Sequence, residues 1–192
     1  MRAKSIVNPI MSSVTYVLSE EWNDKVWLVD CGDVDKIMDV IGGRVVKGML
    51  LTHAHYDHIY GLPQIMNRFP NCIIYTNEAG REGLASAKLN LSKYHDDPIE
   101  IKGDTVKVVK EGENIELFAN QIAKVLETPG HNPSCLCFEV GNYLFTGDAY
   151  IPDIPIVTNL PGGNKPMAQV SKERILSMMP RHEVMPGHIV ES

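Results

Sequence analysis

The chain has 192 residues, 44% of them hydrophobic, and a formal net charge of −6 with histidine neutral. That length suits one large domain or two small ones, and the apolar share is enough for a sizeable core. The acidic balance and the lack of a Lys/Arg block argue against a nucleic-acid partner, and no apolar run approaches the length of a membrane span.

The opening Met1-Arg2-Ala3-Lys4-Ser5-Ile6-Val7 carries basic residues but no continuous apolar stretch, so it does not read as a signal peptide. Strands follow near Ser13–Ser19 and Lys25–Asp30, then a short helix at 34–41 and a strand at 45–51. Ile59, Leu62, Ile65 and Met66 fall at helical spacing, which predicts a helix over 59–69. A strand at 72–76 and a helix near 78–89 close the first half. The second half gives strands near 105–110, 115–118, 122–127, 134–140 and 143–145, a helix around 167–178, and a last strand at 183–185. Several strands and then helices in each half imply two sheets face to face with helices on both outer sides. No linker divides the chain, so a single domain over 1–192 is expected. Cys31, Cys72, Cys135 and Cys137 make no CxxC pair, and Cys135 and Cys137 share a strand face as small apolar groups. The cytoplasm is the expected compartment.

Thr52-His53-Ala54-His55-Tyr56-Asp57-His58 is the densest chemistry in the chain, placing three of its seven histidines and a carboxylate between a strand and a helix. The bland alternative, a polar loop with Asp57 capping the helix, does not require three neighbouring histidines. Three further residues arrive in one repeated context, a strand followed by a glycine turn: Thr128-Pro129-Gly130-His131, Phe145-Thr146-Gly147-Asp148 and Met185-Pro186-Gly187-His188. Neutral imidazoles and carboxylates suit zinc, iron or manganese. Asp30 and Asp33 read as turn and capping residues supporting the site, His95 as solvated loop, with a reach into the pocket as its alternative, and His182 as surface. For Tyr56, Tyr150, Asn159 and Lys165 a structural role outweighs a place in the cleft. The Pro/Gly-rich loop 151–165 is expected to border the cleft.

These motifs resemble the metallo-β-lactamase fold superfamily in order and local context along essentially the whole chain. The resemblance implies an αββα sandwich with a binuclear site at one edge, between the sheets. It implies one divalent metal on His53, His55 and His131, and a second on Asp57, His58 and His188, with Asp148 bridging. The expected pair is zinc, with iron or manganese as alternatives. A hydroxide shared by two metals is a strong nucleophile at neutral pH, and Asp57 is the candidate catalytic proton acceptor.

Within that superfamily the chain is more similar to the glyoxalase II-like branch, through the 84–92 segment and the motifs ending at His131 and Asp148. That branch cleaves thioesters such as hydroxyacylglutathione. Classical β-lactamases of this fold commonly carry cysteine where this chain has Asp148. Glyoxalase II proper carries a glutathione-binding helical region after its last metal-ligand histidine, whereas Ile189-Val190-Glu191-Ser192 follow His188 here. The expectation is therefore a metal-dependent hydrolase of a small thioester or ester. The alternatives are a mononuclear iron persulfide dioxygenase and a lactonase or phosphodiesterase of the same fold. A small-molecule substrate is expected, with no nucleic-acid or membrane partner, and the oligomeric state is left open.

Overall fold

The computed structural model describes residues 1–189; Val190, Glu191 and Ser192, part of the sequence considered after His188, lie outside them. The first sheet holds β1 (Arg2–Val7), β2 (Val14–Ser19), β3 (Lys25–Val29), β4 (Val45–Leu50), β5 (Ile73–Thr76) and β6 (Val106–Val108), in that order. Its first three strands are antiparallel, and β3 to β6 run parallel. The second sheet is ordered β11-β10-β9-β8-β7, from β7 (Asn114–Phe118), β8 (Gln121–Glu127), β9 (Leu136–Val140), β10 (Tyr143–Gly147) and β11 (Glu183–Pro186). Only the β10–β11 pair is parallel there.

Period-two alternation sorts the strand side chains into layers. Val17 and Leu28 pack with Ile37 and Ile41 of α1 (Val34–Ile41) and with Leu62 and Ile65 of α3 (Leu62–Arg68). Their neighbours Tyr16, Leu18, Trp27 and Val29 face the other way. They meet Leu117, Val125, Phe138 and Phe145 of the second sheet. The outer face of that sheet puts Leu126, Cys137 and Leu144 against Ile175 of α5 (Lys165–Met178), with Cys135 in the same cluster. Helices, two sheets and a helix thus form four layers, the αββα arrangement expected from the sequence. Burial raises the Cys135 thiol well above its ordinary range and pushes Cys137 up to about 12, so both behave as small apolar groups.

The structure departs from the sequence reading at three places. β1 is an extra strand, on the sheet edge; only Ile6 of its residues is buried, so its alternation is too weak to detect. The helix expected over 59–69 is broken into α2 (Tyr56–Ile59) and α3. Pro63 sits at the first positions of α3, where its missing N–H is tolerated, and cannot continue α2. The helix expected to reach 89 is α4 (Glu78–Leu84) and stops near Ala85. Beyond it the Asn90 side chain donates to Gly83 O and Ile99 O, fixing a turn in place of further helix.

Trp27 crosses the sheet interface: its indole N–H donates to Leu117 O at 2.8 Å. Trp27→Phe strands that buried carbonyl and leaves part of the ring volume empty. The expected loss is about 1–3 kcal/mol, read as a lower urea midpoint with an unchanged slope. An unchanged midpoint would show that this bond does not join the sheets energetically.

Candidate metal centre

The predicted residues are delivered from strand ends on one edge of the molecule. His53, His55, Asp57 and His58 follow β4, His131 follows β8, Asp148 follows β10 and His188 follows β11. The first loop is stapled between the sheets. Thr52 N–H and Oγ–H donate to the Asp30 carboxylate at 2.8 and 2.7 Å, and Thr52 O accepts from Leu136 N–H of the second sheet. The last two ligand candidates approach through glycine. A Cβ on Gly187 would lie 2.3 Å from Asp148 Oδ1, and Gly147 has φ +49 with Thr52 Oγ1 2.5 Å from where its Cβ would be.

Outer hydrogen bonds orient each ring. Thr52 Oγ1 spends its proton on Asp30, so it accepts from His53 Nδ1–H at 3.2 Å. Asp30 Oδ2, Val157 O and Met11 O can only accept; they hold Nδ1 of His58, His131 and His188 at 2.8, 2.8 and 2.9 Å. Nε2 of all four rings is left for the centre. His55 is reversed: the Asn132 amide nitrogen lies 2.9 Å from its Nε2, and Nδ1 faces inward, 2.9 Å from His131 Nε2.

The inward atoms form two groups, and a third set of His53, His58 and Asp148 overlaps both. His53, His55 and His131 offer ligand atoms within 4.8 Å of one another, as do Asp57, His58 and His188. In the second group Asp57 Oδ2 is 3.3 Å from both His58 Nε2 and His188 Nε2, which are 3.2 Å apart. Asp148 Oδ2 lies 3.6 Å from His131 Nε2 and 3.3 Å from His188 Nε2, and its Oδ1 lies 3.4 Å from His58 Nε2. Metal bonds of about 2.0–2.2 Å set tetrahedral neighbours roughly 3.3–3.6 Å apart. The spacings around Asp57, His58, His188 and Asp148 are close to that, whereas His55 Nδ1 to His131 Nε2 at 2.9 Å is tighter and His53 Nε2 to Asp148 Oδ2 at 4.0 Å is wider. His53 Nε2 and Asp148 Oδ1 are buried without any hydrogen-bond partner. Donor set, spacing and orphaned atoms all fit a divalent cation.

The electrostatics divide the two groups. Burial drives His53 well below the ordinary histidine range and, with His131 beside it, brings His55 down to about 4. Burial opposes charge on His58 too, but the Asp57, Asp148 and Asp30 carboxylates outweigh it and raise that imidazole well above its usual value. His188 is likewise lifted to about 10, against its burial, by hydrogen bonds to Asp148 and Asp57. Asp57 and Asp148 are held well below the carboxylate range, because His58 and His188 overcome the cost of burying them.

Among the supporting residues, Asp30 grips both ends of the motif, as expected, while Asp33 caps α1 by accepting from Lys36 N–H. Two readings are corrected. Tyr56, for which a structural role was expected to outweigh a place in the cleft, lines the cavity over the centre, and the exposed His95 stacks on it at 3.7 Å between centroids and lines the cavity too. His182 is not a surface residue; its side chain is 9% exposed and bonds Met178 O and Glu139. That cavity, about 680 Å³, is bordered by Ile151, Ile154, Val157 and Leu160, so the 151–165 loop does flank the cleft. Asn159, Lys165 and Tyr150 are not part of its lining. Met11, Asn132 and Val157, which orient ligand rings, carried no signal, because two act through backbone carbonyls and Asn132 is an ordinary turn residue in sequence.

The sequence profile described as "Metallo-beta-lactamase superfamily" matches residues 9–188. A curated relative, hydroxyacylglutathione hydrolase of Hydrogenovibrio crunogenus, is 30% identical over 143 residues, 72% of this chain and 46% of the relative. The match therefore spans about half of that relative's length. Two solved structures share the fold. The BLEG-1 B3 metallo-beta-lactamase superposes with a TM-score of 0.86 at 24% identity, covering 98% of this chain and 92% of the other. TTHA1623, in a di-iron-bound form, gives 0.81 at 24% identity over 98% and 93%.

Two outcomes follow from the charge division and the Asp30 contacts. At neutral pH the His58–His188 pair holds a proton that a cation must displace, whereas His53 and His55 are already neutral. Lowering the pH from 8 to 6 is expected to weaken one Zn2+ step by about tenfold per unit per displaced proton and to weaken the other less. Calorimetry in buffers of different ionisation enthalpy reads both steps; equal pH dependence would contradict the division. Asp30→Asn, which keeps the shape but removes the carboxylate from His58 Nδ1, is expected to weaken the pH-sensitive step about 10–100-fold.

Proposed function

Given that the chain belongs to the metallo-β-lactamase superfamily, we propose that it is a metal-dependent hydrolase that cleaves a small thioester or ester. The observation that carries the reading is the convergence of seven side chains from four strand ends on one point, with two orphaned buried atoms, at the floor of a cavity. The similarity to part of a hydroxyacylglutathione hydrolase supports thioester chemistry.

In this reading His53, His55 and His131 would hold one cation and Asp57, His58 and His188 a second, with Asp148 between them. Bound cations would supply Lewis acidity at the acyl oxygen and lower the pKa of water. The remaining work falls to the chain. Asp30, Val157 O and Met11 O fix the imidazoles, so the donor set is preorganised and does not reorganise during the reaction. Asp57 lines the cavity, and its carboxylate is held ionised at neutral pH. It accepts a proton from the attacking water as the new C–O bond forms. The acyl C–S or C–O bond then breaks, and Asp57 returns the proton to the departing sulfur or oxygen.

Turnover of thioester, ester, phosphodiester and β-lactam substrates by metal-loaded protein tests the proposal, with thioesters or esters expected to be the best substrates. Asp57→Asn is expected to lower kcat by about 10²–10⁴-fold, and His55→Ala to lose metal together with activity. Wild-type rates in both variants would sink the mechanism.

A further inference from the structure

The wall of the cavity differs in character from its floor. The ligand cluster supplies its His55, Asp57, His131, Asp148 and His188, while Leu91, Tyr94, Ile154, Val157 and Leu160 of the lining are apolar. Several of these are large apolar side chains left open to solvent: Tyr94 is 71% exposed, Val157 46% and Leu160 37%. Exposed apolar groups gathered around a cavity mark a binding surface, whereas scattered ones mean little.

Charge narrows the ligand further. Among the described residues lining the cavity there is no lysine or arginine. A smaller adjoining cavity of about 440 Å³ shares Ile151, Ile154, His188 and Ile189; its other lining residues include Asp153 and no lysine or arginine. The nearby cation, Lys93, lies over the Tyr94 ring, 4.6 Å from its centroid, and is not part of the wall. The positive charge of the site therefore lies at its floor, with His58 and His188, and the carboxylates of a carrier such as glutathione find no lysine or arginine on the walls.

We propose that the cavity selects its substrate by an uncharged, apolar acyl chain held against Leu91, Tyr94, Ile154, Val157 and Leu160, and gives no preference to an anionic thiol carrier. This rests on the hydrolase reading of the same site and adds its substrate class.

The test is a series of acetyl, butyryl and hexanoyl thioesters, each made on uncharged N-acetylcysteamine and on glutathione, assayed with metal-loaded protein. On N-acetylcysteamine, kcat/KM is expected to rise about fourfold per added methylene, and the glutathione thioesters to be no better at equal chain length. A flat or falling profile, or a tenfold advantage for glutathione, would overturn the proposal while leaving the hydrolase reading intact. Leu160→Lys places a cation on the wall; it is expected to shift the glutathione-to-N-acetylcysteamine ratio for the hexanoyl pair at least tenfold toward glutathione. An unchanged ratio would count against the wall. Calorimetric binding of the matching non-hydrolysable amides separates the two claims. Affinity that grows with chain length but no turnover of any thioester would reject the hydrolase and keep the apolar cavity. Neither turnover nor length-dependent binding would reject both.

Discussion

Five imidazoles and two carboxylates turned toward one buried point cannot satisfy one another with protons alone. His55 Nδ1 meets His131 Nε2 at 2.9 Å, and His58 Nε2 meets His188 Nε2 at 3.2 Å. Each such nitrogen pair has room for one proton, and His53 Nε2 and Asp148 Oδ1 still find no partner. Burying polar groups this way is unfavourable unless a further charge joins them. The surrounding structure accepts that constraint: outer hydrogen bonds fix the rings, glycines permit close backbone approach, and Thr52 ties the motif to both sheets. Rigid sheets then do what flexible loops could not, holding donors from four strand ends at metal-ligand spacing.

The two sheets have separate duties. Their shared interior, with Trp27, Phe138 and Phe145, provides the packing that keeps the strand ends in register. The site sits where that interior opens, and links across the sheets converge there. Tyr16 Oη donates to Pro186 O, Val14 N–H to Gly187 O and Ser13 Oγ to Asp57 O. The β2 region thereby braces both the His188 turn and the central motif. Stability and site geometry are coupled through these few bonds.

Much of this was legible in the sequence, for identifiable reasons. The strands β2 to β10 announce themselves because each has buried residues, and β11, with none, was legible from the turn that follows it. The ligand candidates stood out because His and Asp recur after strand–glycine turns, a pattern carried by the side chains themselves. Most of what escaped detection had no side-chain signature, the exception being Pro63. β1 buries a single residue; the α2–α3 break depends on Pro63 within an otherwise helical spacing. His95 reaches the cavity by stacking on Tyr56, a contact between segments far apart in sequence. Met11 O and Val157 O act through the backbone, so no residue type could have advertised them.

The central claim is that the seven residues form one centre for two cations. Anomalous diffraction from crystals of fully metal-loaded protein tests it directly. The account predicts two scatterers a few ångströms apart, about 3.5–4 Å as in other two-metal sites. One would lie among His53, His55 and His131, the other among Asp57, His58 and His188, with Asp148 in contact with both. A single scatterer at saturating metal, or one bound away from these side chains, would contradict it.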